Sequence, residues 1–423
     1  MRTNYTLILM MIVLITLGIC PYAFAQTNAA SSRTAKSAET YFQNKQYKHA
    51  LMLYLDMEKA ESCDAELNYK IGICYLNTAY KHKALSYFHK ALSLGNTSHE
   101  FIDMDYYLGC SYHLNNEFSK AIIHYTKFRN TLNTSDPSEA EEIKAINRFI
   151  ENCHNGIALL MNPGKATIEH LPLTINTGFA DLHPIINPTE DQLFFASRRH
   201  NSTEGNYDPS THEYNEDIFV SKKENGKWTF STHLHQNLKD IYNEVPSSVS
   251  PDGKKLFLNK TDHHHDFDIY YSMLEGEEWS APVSMGDNIN SPDHERGGCI
   301  SPDGQSFYFC SDRPGGFGGM DIYISRLQSN GEWGPAKNMG AQVNTRYDEE
   351  YPSISADGKR IYFSSEGHNS IGGFDLFVSG LDQKRQIWTQ AKNLGMPINT
   401  PDDEMSITFT KDEKHAYYSA RHN

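Results

Sequence analysis

The sequence is short of cysteine, of basic residues and of long apolar segments, and each shortage excludes a class of protein. Seven cysteines among 423 residues are too few for a disulfide-rich scaffold. Because 38 Lys and Arg stand against 53 Asp and Glu, the formal charge is -15, which has the wrong sign for nucleic acid as a partner. A mean hydropathy of -0.59 excludes a protein with several membrane spans.

The sequence also lacks the short motifs of common hydrolases. It contains neither Gly-x-Ser-x-Gly nor His-Glu-x-x-His, so we expect no enzymatic activity and no cofactor. The segment 262–266 reads Asp-His-His-His-Asp, which suggests a metal site. Adjacent histidines on an extended loop alternate in direction and cannot all face one ion, so a solvated loop is the favoured interpretation and a metal site is the alternative.

The first 25 residues predict export of a chain long enough for two to three domains. Arg2 precedes an apolar run, Leu7–Ile19, whose 13 residues are too few to span a bilayer. Ala23-Phe24-Ala25 then fits a signal-peptidase cleavage site. Two alternatives stay open: an uncleaved anchor helix, and a lipoprotein cut before Cys20. In each case the mature chain leaves the cytoplasm.

Residues 34–162 carry a repeated helical pattern. Ala50, Ala84 and Ala121 recur at spacings of 34 and 37 residues, each with an aromatic residue four positions later. A small residue and a tyrosine precede each alanine: Ala38 and Tyr41, Gly72 and Tyr75, Gly109 and Tyr112. This pattern resembles the tetratricopeptide repeat, whose period is about 34 residues. The resemblance implies an α-solenoid of three helix pairs, with residues 138–161 as a capping helix.

A tetratricopeptide stack has a concave face lined by the first helix of each pair. Four residues are predicted to point there: Tyr69, Asn77, Tyr106 and His113. Two interpretations stay open, a peptide-binding groove and an ordinary solvated face with packing tyrosines.

Residues 163–423 repeat in units of about 50 residues that predict β-sheet. Ser250-Pro251-Asp252-Gly253 recurs at Ser301 and at Ser355, and Asp-Gly between alternating apolar runs predicts a hairpin. A third strand then begins at Asp217, Asp268, Asp321 and Asp375, and a fourth at Trp228, Trp279, Trp333 and Trp388. Four short strands in each repeated unit are typical of a β-propeller.

The run Ser311-Asp312-Arg313-Pro314-Gly315-Gly316, with Asp321-Ile322-Tyr323 after it, resembles the WD40-like (PD40) repeat of TolB-type propellers. The order of signal peptide, tetratricopeptide repeats and PD40 blades is similar to a group of envelope proteins that ends in an OmpA-like peptidoglycan-binding domain. That group includes PorE, a type IX secretion component. The resemblance implies a multidomain α plus all-β fold, an α-solenoid followed by a propeller of about five blades.

The sequence departs from that group after the hairpin of the fifth unit. No OmpA-like segment follows, so the last blade is expected to be incomplete, and peptidoglycan contact is expected only indirectly, if at all. Gly164–Leu171 is predicted to supply a fourth-strand equivalent that closes the ring, because Ile175-Asn176-Thr177 matches Val343-Asn344-Thr345. A truncated remnant of an OmpA-anchored homologue is an alternative.

Acidic residues recur in the loops between blades. Five positions after the asparagine that ends each fourth strand lie Asp181, Glu295, Glu349 and Glu404, and Asp348 and Asp403 precede the last two. Such loops emerge on one face of a propeller, so a ring of carboxylates is predicted there. A surface for a basic partner or a divalent cation is one interpretation. The favoured one is that each carboxylate hydrogen-bonds backbone and locks neighbouring blades together.

The predicted organisation is a signal peptide (1–25), a linker (26–33), helical repeats (34–162) and a propeller (163–423). Cys299 and Cys310 flank one hairpin and can face each other in only one of two registers. The expected function is a non-enzymatic envelope scaffold in the periplasm or at the outer membrane. Its expected partners are outer-membrane or secretion-machinery proteins, with a link to type IX secretion or envelope integrity. The alternative is a propeller that binds glycans or peptides.

Overall fold

The computed structural model of the chain describes residues 33–60, 63–95, 101–199, 207–208, 213–234, 243–261 and 267–421. The predicted signal peptide with Cys20 and the histidine segment 262–266 lie outside these residues. Contacts divide the chain into two compact units, with the division between Ile150 and Glu151. The domain boundary predicted after residue 162 lies further along the chain and stays a prediction.

The first unit is helical, as the periodicity predicts. The helices are α1 (33–43), α2 (Tyr47–Ala60), α3 (Ala65–Leu76), α4 (Ala84–Leu94), α5 (Met104–Leu114), α6 (Phe118–Arg129) and α7 (Pro137–Leu160), which runs past the division. None of these helices is long and apolar enough to cross a membrane. The tetratricopeptide superhelix itself stays a prediction.

Glycines let the helices of a pair approach closely. A Cβ atom on Gly72 in α3 would lie 2.5 Å from the ring of Phe88 in α4, and one on Gly109 in α5 would lie 2.5 Å from the ring of Tyr125 in α6. Both rings are buried. Burial of such a ring contributes about 2 kcal/mol or more, so the recurring small residue and aromatic residue form the contact that holds each pair together.

The second unit contains β-sheets in consecutive order. Blade 1 has β1 (Asp181–Ile186), β2 (Gln192–Ser197), a separate hairpin of β3 (Tyr207–Asp208) and β4 (Glu213–Tyr214), β5 (Asp217–Glu224), β6 (Lys227–Trp228) and β7 (Thr232–His233). Blade 2 has β8 (Glu244–Val249), β9 (Lys255–Thr261), β10 (Phe267–Glu275), β11 (Glu278–Trp279) and β12 (Val283–Ser284). Blade 3 has β13 (Glu295–Ile300), β14 (Ser306–Ser311), β15 (Asp321–Arg326) and β16 (Lys337–Asn338). Blade 4 has β17 (Glu349–Ile354), β18 (Arg360–Ser365), β19 (Asp375–Asp382), β20 (Ile387–Trp388) and β21 (Lys392–Asn393). The fifth unit has β22 (Glu404–Phe409) and β23 (Ala416–Ala420).

The Asp-Gly hairpins form where the sequence predicts them. Gly253, Gly304 and Gly358 have φ of 73°, 71° and 68°, a conformation that glycine adopts without strain. In blade 3 the Ser301 hydroxyl accepts a hydrogen bond from the backbone N–H of Ser306 at 2.9 Å. The turn side chains therefore satisfy the backbone that the turn leaves unpaired.

The number of complete blades differs from the expectation of about five. Four sheets have four or five strands and the fifth sheet has two, which makes about four blades. Gly164–Leu171, predicted as a fourth strand, forms no strand. A fourth strand needs a third strand to pair with, and the described part of the fifth unit contains none. The inner strands β1, β8, β13, β17 and β22 still form a ring, because β22 contacts β1.

Asparagine side chains tie each loop between blades to the blade before it. The Asn344 amide nitrogen donates to the Ile322 carbonyl at 2.9 Å, and its oxygen accepts from the Ile322 N–H at 2.8 Å. The same two bonds join Asn290 to Ile269 and Asn399 to Leu376. Each asparagine side chain thus bonds the N–H and C=O groups of one third-strand residue, as the backbone of a neighbouring β-strand would.

We predict that Gly72→Leu lowers the free energy of unfolding of the helical unit by about 3 kcal/mol, because the added side chain has no space beside Phe88. Urea unfolding followed by far-ultraviolet circular dichroism measures this change. Ser93→Leu, at an exposed position of α4, is the control and should change the stability by less than about 0.5 kcal/mol. Equal effects of the two substitutions would contradict the close contact.

Candidate functional site

The residues predicted for a concave helical groove differ in their burial. His113 is 5% exposed, and its Nδ1 lies 3.4 Å from the Tyr125 hydroxyl. The His113 side chain is therefore buried against α6, and its role in a groove stays a prediction. Asn77 is exposed and caps α3, since its amide donates to the Ile73 carbonyl at 2.8 Å.

The two tyrosines of that prediction pack against aromatic neighbours. The Tyr69 ring stacks on Phe101 with the ring centroids 4.4 Å apart. The centroids of the Tyr106 and Phe128 rings lie 5.5 Å apart. Both tyrosines are half-buried. These contacts match the packing interpretation of the tyrosines, and a peptide-binding role for them stays a prediction.

The recurring acidic residues of the propeller point inward. Glu295, Glu349 and Glu404 are 0% exposed. Each carboxylate accepts the backbone N–H of the residue four positions earlier, at 2.6 Å from Ser291, 2.6 Å from Thr345 and 2.8 Å from Thr400. Asp181 accepts the N–H of Thr177 in the same way at 2.7 Å. We call this arrangement the carboxylate turn.

Hydroxyl groups complete each carboxylate turn. The Thr345 hydroxyl and the Ser365 hydroxyl both donate to Glu349 Oε1 at 2.7 Å. Ser365 belongs to the second strand of the blade, so the turn is bonded to the sheet that follows it. The equivalent serine bonds join Ser197 to Asp181 and Ser311 to Glu295, each at 2.6 Å.

Two of the carboxylate turns contain an arginine. Arg313 Nη2 lies 2.9 Å from Glu295 Oε1, and Arg199 Nη2 lies 2.8 Å from Asp181 Oδ1. Glu349 forms no ion pair within the described ranges, and burial raises its pKa to about 7. Burial likewise raises the pKa of Glu404 well above its usual value.

Asp348 and Asp403 bond the preceding blade. Asp348 Oδ1 accepts the N–H of Met320 at 2.8 Å, and Asp403 Oδ1 accepts the N–H of Phe374 at 3.1 Å. A Cβ atom on Gly319 would lie 2.0 Å from Asp348 Oδ1, so the glycine-rich turn is shaped to admit this carboxylate. The six predicted acidic residues thus make internal bonds. The three buried glutamates cannot present the carboxylate surface that one interpretation required.

A polar cluster near the propeller axis was not predicted from the sequence. His183, Tyr351 and Ser406 have φ of 54°, 51° and 54°, and Gly297 has 49°. Each lies two positions after the acidic residue that begins its inner strand, at a bulge in the strand pairing. Bulges redirect side chains, so these residues leave the face that strict alternation would assign to them.

His183 is the centre of this axial cluster. Its Nδ1 lies 2.5 Å from the Ser406 hydroxyl, and its ring centroid lies 4.3 Å from that of Tyr351. The His183 N–H donates to the Ser419 hydroxyl at 2.7 Å. Since Ser406 and Ser419 belong to the fifth unit, His183 joins the first blade to the last.

Burial lowers the pKa of His183 to about 4. Glu216 opposes this shift, whereas Arg296 and Arg198 add to it. No carboxylate lies within hydrogen-bond distance of the His183 ring in the described parts of the chain. A histidine and a serine activate a nucleophile when a third group orients the base. The contacts of His183 instead suit a neutral side chain that closes the ring.

A cavity of about 110 Å³ lies among the inner strands. Its lining includes Ser247, Ser248, Ser353, Ser406 and Thr408. Ligand pockets for drug-sized molecules usually hold about 300–1,000 Å³, so this cavity suits a few water molecules rather than a sugar chain.

Arg296 and Glu350 occupy the position before the bulge in neighbouring inner strands. Arg296 Nη1 lies 3.6 Å from Glu350 Oε1, and the guanidinium lies 4.4 Å from the centre of the Phe267 ring. Burial raises the pKa of Glu350 to about 7 in spite of this arginine. Neither residue was predicted from the sequence. The recurring acidic residue is Glu349, and Glu350, which follows it, is not part of the repeat.

Cys299 and Cys310 do not face each other. Cys310 pairs with Arg296 across the hairpin, and Cys299 pairs with Tyr308. Both thiols are free and buried. The register thus separates the two sulfur atoms, and burial raises the pKa of the Cys299 thiol to about 12.

Comparison with known proteins finds similarity only among solved structures. No protein-family profile and no curated relative matches the chain. TolB from Acinetobacter baumannii is 20% identical over 57% of this chain and 49% of that chain, with a TM-score of 0.38. This chain therefore spans about half the length of that protein.

Two further structural neighbours are a second TolB protein and an enzyme. The putative TolB from Agrobacterium tumefaciens is 18% identical over 58% of this chain and 92% of that chain, with a TM-score of 0.32. The alpha-L-arabinofuranosidase from Lactobacillus brevis is 12% identical over 59% of this chain and 86% of that chain, with a TM-score of 0.36. TM-scores this low give no information about activity or partners. The neighbours include an enzyme as well as TolB proteins.

We predict that His183 makes the propeller less stable in acid. The unfolded chain binds a proton near the ordinary histidine pKa of 6.5, and the folded protein binds it only near 4. Stability is therefore fully present above pH 6.5 and falls by about 3 kcal/mol as the pH drops to 4. Thermal unfolding across this range measures the slope.

His183→Asn should flatten that slope, because asparagine tolerates the left-handed conformation and does not titrate. Exposed His170 provides the control, and His170→Asn should keep the slope of the unsubstituted protein. Glu349 and Glu350 act in the opposite direction in every variant, so the difference between variants isolates His183. An unchanged slope in His183→Asn would count against its buried neutral state.

The two kinds of carboxylate turn should respond differently to glutamine. Glu295→Gln leaves half-buried Arg313 without its carboxylate and should lower the free energy of unfolding by about 3 kcal/mol at pH 7. In Glu349 the raised pKa stabilises the fold below pH 4.5, and this contribution is lost as the pH rises through 7. Glutamine does not titrate, so Glu349→Gln should remove this fall in stability between pH 4.5 and 7. Urea unfolding at pH 5, 7 and 8 measures the free energy of unfolding of both variants. The same pH dependence in both variants would contradict the difference between the two kinds of carboxylate turn.

Proposed function

We propose that the protein is a non-enzymatic scaffold of the cell envelope that binds other proteins through its helical unit and its propeller. The proposal includes export by the N-terminal signal peptide and a location in the periplasm or at the outer membrane. It also includes a tetratricopeptide character for the helical unit and a relation to the PorE group of envelope proteins. The expected partners are outer-membrane or secretion-machinery proteins, with a link to type IX secretion or envelope integrity.

The observation that carries this proposal is an exposed apolar side chain on the second helix of each pair. Met52 in α2 is 65% exposed, Leu92 in α4 is 40% exposed and Ile123 in α6 is 54% exposed. Met52 and Ile123 occupy equivalent positions, two residues after Ala50 and Ala121. Recurring apolar exposure on a repeat favours contact with a protein partner.

The buried carboxylate turns favour the same proposal. Their acidic groups are bonded to backbone and hydroxyl groups, so the recurring polar residues of the propeller act in its construction. The axial cavity of about 110 Å³, which lies among the residues that the structure describes, is too small for a saccharide chain. Scaffolding therefore remains the favoured function.

We predict that a photo-reactive amino acid at Ile123 cross-links a discrete envelope protein in intact cells that express the protein. Apolar side chains at the centre of an interface lie in van der Waals contact with the partner, within reach of the probe. Immunoblotting detects the product and mass spectrometry identifies it as an outer-membrane or secretion-machinery component.

The matched control places the same probe at Lys59 of α2, which is 74% exposed and charged. Little or no product is expected there. Equal cross-linking at Ile123 and Lys59, or none at Ile123 and Met52, would overturn the proposed surface.

A further inference from the structure

Two large apolar side chains are exposed at the outer edge of blade 1. Leu173 is 86% exposed and Phe230 is 79% exposed. Counted from the recurring tryptophan, the residues at the position of Phe230 in the other complete blades are Ala281, Pro335 and Gln390. The large apolar residue is therefore particular to blade 1, and the construction of a blade does not require it.

Hydrogen bonds hold these two residues on adjacent segments of the chain. The Ser231 N–H donates to the Thr174 carbonyl at 3.1 Å, and the Thr174 hydroxyl donates to the Trp228 carbonyl at 3.2 Å. Leu173 and Phe230 each precede one of the bonded residues. Backbone segments joined in this way lie about 4.8 Å apart, so both apolar residues belong to one edge of the blade.

Three lysines lie on the hairpin beside these residues. Lys222 and Lys223 belong to β5, Lys227 belongs to β6, and all three are exposed. The Lys222 carbonyl accepts the Thr229 N–H at 2.8 Å, which joins the hairpin to the segment that carries Phe230. None of the three lysines forms an ion pair with a residue that the structure describes.

The charge of this hairpin is opposite in sign to that of the chain and of the next blade. Residues 222–228 contain three lysines and one glutamate. Residues 273–279 form the equivalent hairpin of blade 2 and contain three glutamates and no basic residue. Because the whole chain has a formal charge of -15, an anionic surface repels most of it and attracts this hairpin.

We propose that Leu173, Phe230 and the three lysines form a lipid patch, which docks the protein on a bilayer with anionic headgroups. The lysine ammonium groups contact headgroup phosphates, and the two apolar side chains enter the boundary between headgroups and acyl chains. This contact goes beyond the proposed scaffold function, since it needs no protein partner.

The composition of the lipid patch favours a bilayer over a protein surface. Lysine is depleted in protein–protein interfaces. Lysines beside exposed phenylalanine and leucine are typical of segments that lie at a membrane surface. The Lys223 ammonium also lies 5.3 Å from the centre of the Trp228 ring, and tryptophan is enriched at the level of the lipid headgroups. We therefore take an anionic bilayer as the occupant.

The test is flotation of the purified protein with vesicles of phosphatidylethanolamine and phosphatidylglycerol. Binding is expected at about 0.05 M NaCl and should weaken by at least about 10-fold at about 0.5 M, because salt screens the lysines. Vesicles of phosphatidylcholine alone have no net charge and should bind at least about 10-fold more weakly.

A triple substitution tests the lysines. Lys222→Gln, Lys223→Gln and Lys227→Gln together should weaken binding to the anionic vesicles by about 100-fold. The matched control removes the same number of charges from exposed positions of the helical unit. It combines Lys59→Gln, Lys120→Gln and Lys144→Gln, and it should change binding by less than about 2-fold.

A single substitution tests the apolar contact. Phe230→Ser should weaken binding by at least about 10-fold, because the ring no longer leaves water on binding. Phe317→Ser is the control, since Phe317 is a 51% exposed phenylalanine of blade 3, and it should leave binding unchanged. Circular dichroism checks that each variant is folded. If the triple variant fails to fold, Phe230→Ser still decides.

Three results would overturn the lipid patch. The first is no binding of the folded protein to the anionic vesicles. The second is equal loss of binding in the triple variant and its control, which would make net charge the cause. The third is a dimer in analytical ultracentrifugation that Phe230→Ser dissociates, which would identify a second copy as the occupant.

The lipid patch and the proposed function fail separately. If the vesicles do not bind while Ile123 still cross-links an envelope protein, only the lipid patch is overturned. If the vesicles bind as expected while neither Ile123 nor Met52 cross-links a protein, only the proposed surface of the helical unit is overturned.

Discussion

The construction of the propeller depends on carboxylates that are removed from water at the start of four inner strands. A buried charge costs several kcal/mol unless hydrogen bonds replace its hydration. Glu349 receives one backbone N–H and two hydroxyl groups, and Glu295 receives an arginine as well. Each carboxylate turn thereby fixes where an inner strand begins. Because four of the five inner strands that the structure describes start from such a turn, the turns set the register of these blades around the axis.

The conformation of the inner strands near the propeller axis depends on this register. Two residues after the acidic residue, the inner strand bulges and takes a positive φ at His183, Tyr351 and Ser406. Backbone in this region is strained for residues other than glycine, and it persists only where the surroundings determine it. Here the bulged residues contact one another, so each bulge is held by the next. Polar chemistry is consequently concentrated inside the propeller.

Much of the fold could be predicted because it repeats. Recurring Asp-Gly turns and third-strand aspartates located the hairpins, and the spacing of Gly72 from Phe88 is repeated by Gly109 and Tyr125. The site was harder to predict. The direction of His113 depended on the register of one helix, and the direction of His183 depended on a bulge that no local pattern indicates. The burial of Glu295 required knowing that Ser311 and Arg313 return to it from the next strand.

The asparagines of the loops have a consequence for how such a propeller arises. Asn344 bonds the third strand of its own repeat, whereas its neighbour Val343 is covered by an aromatic residue of the following repeat. The two bonds of this asparagine are therefore completed inside one repeat, whereas apolar packing and bonds such as that from the Met320 N–H to Asp348 join neighbouring repeats. A gene duplication that copies one whole repeat supplies this asparagine with its own partner and meets an equivalent apolar neighbour on either side. Blade number in this architecture can therefore change in whole repeats without redesign of the interfaces between them.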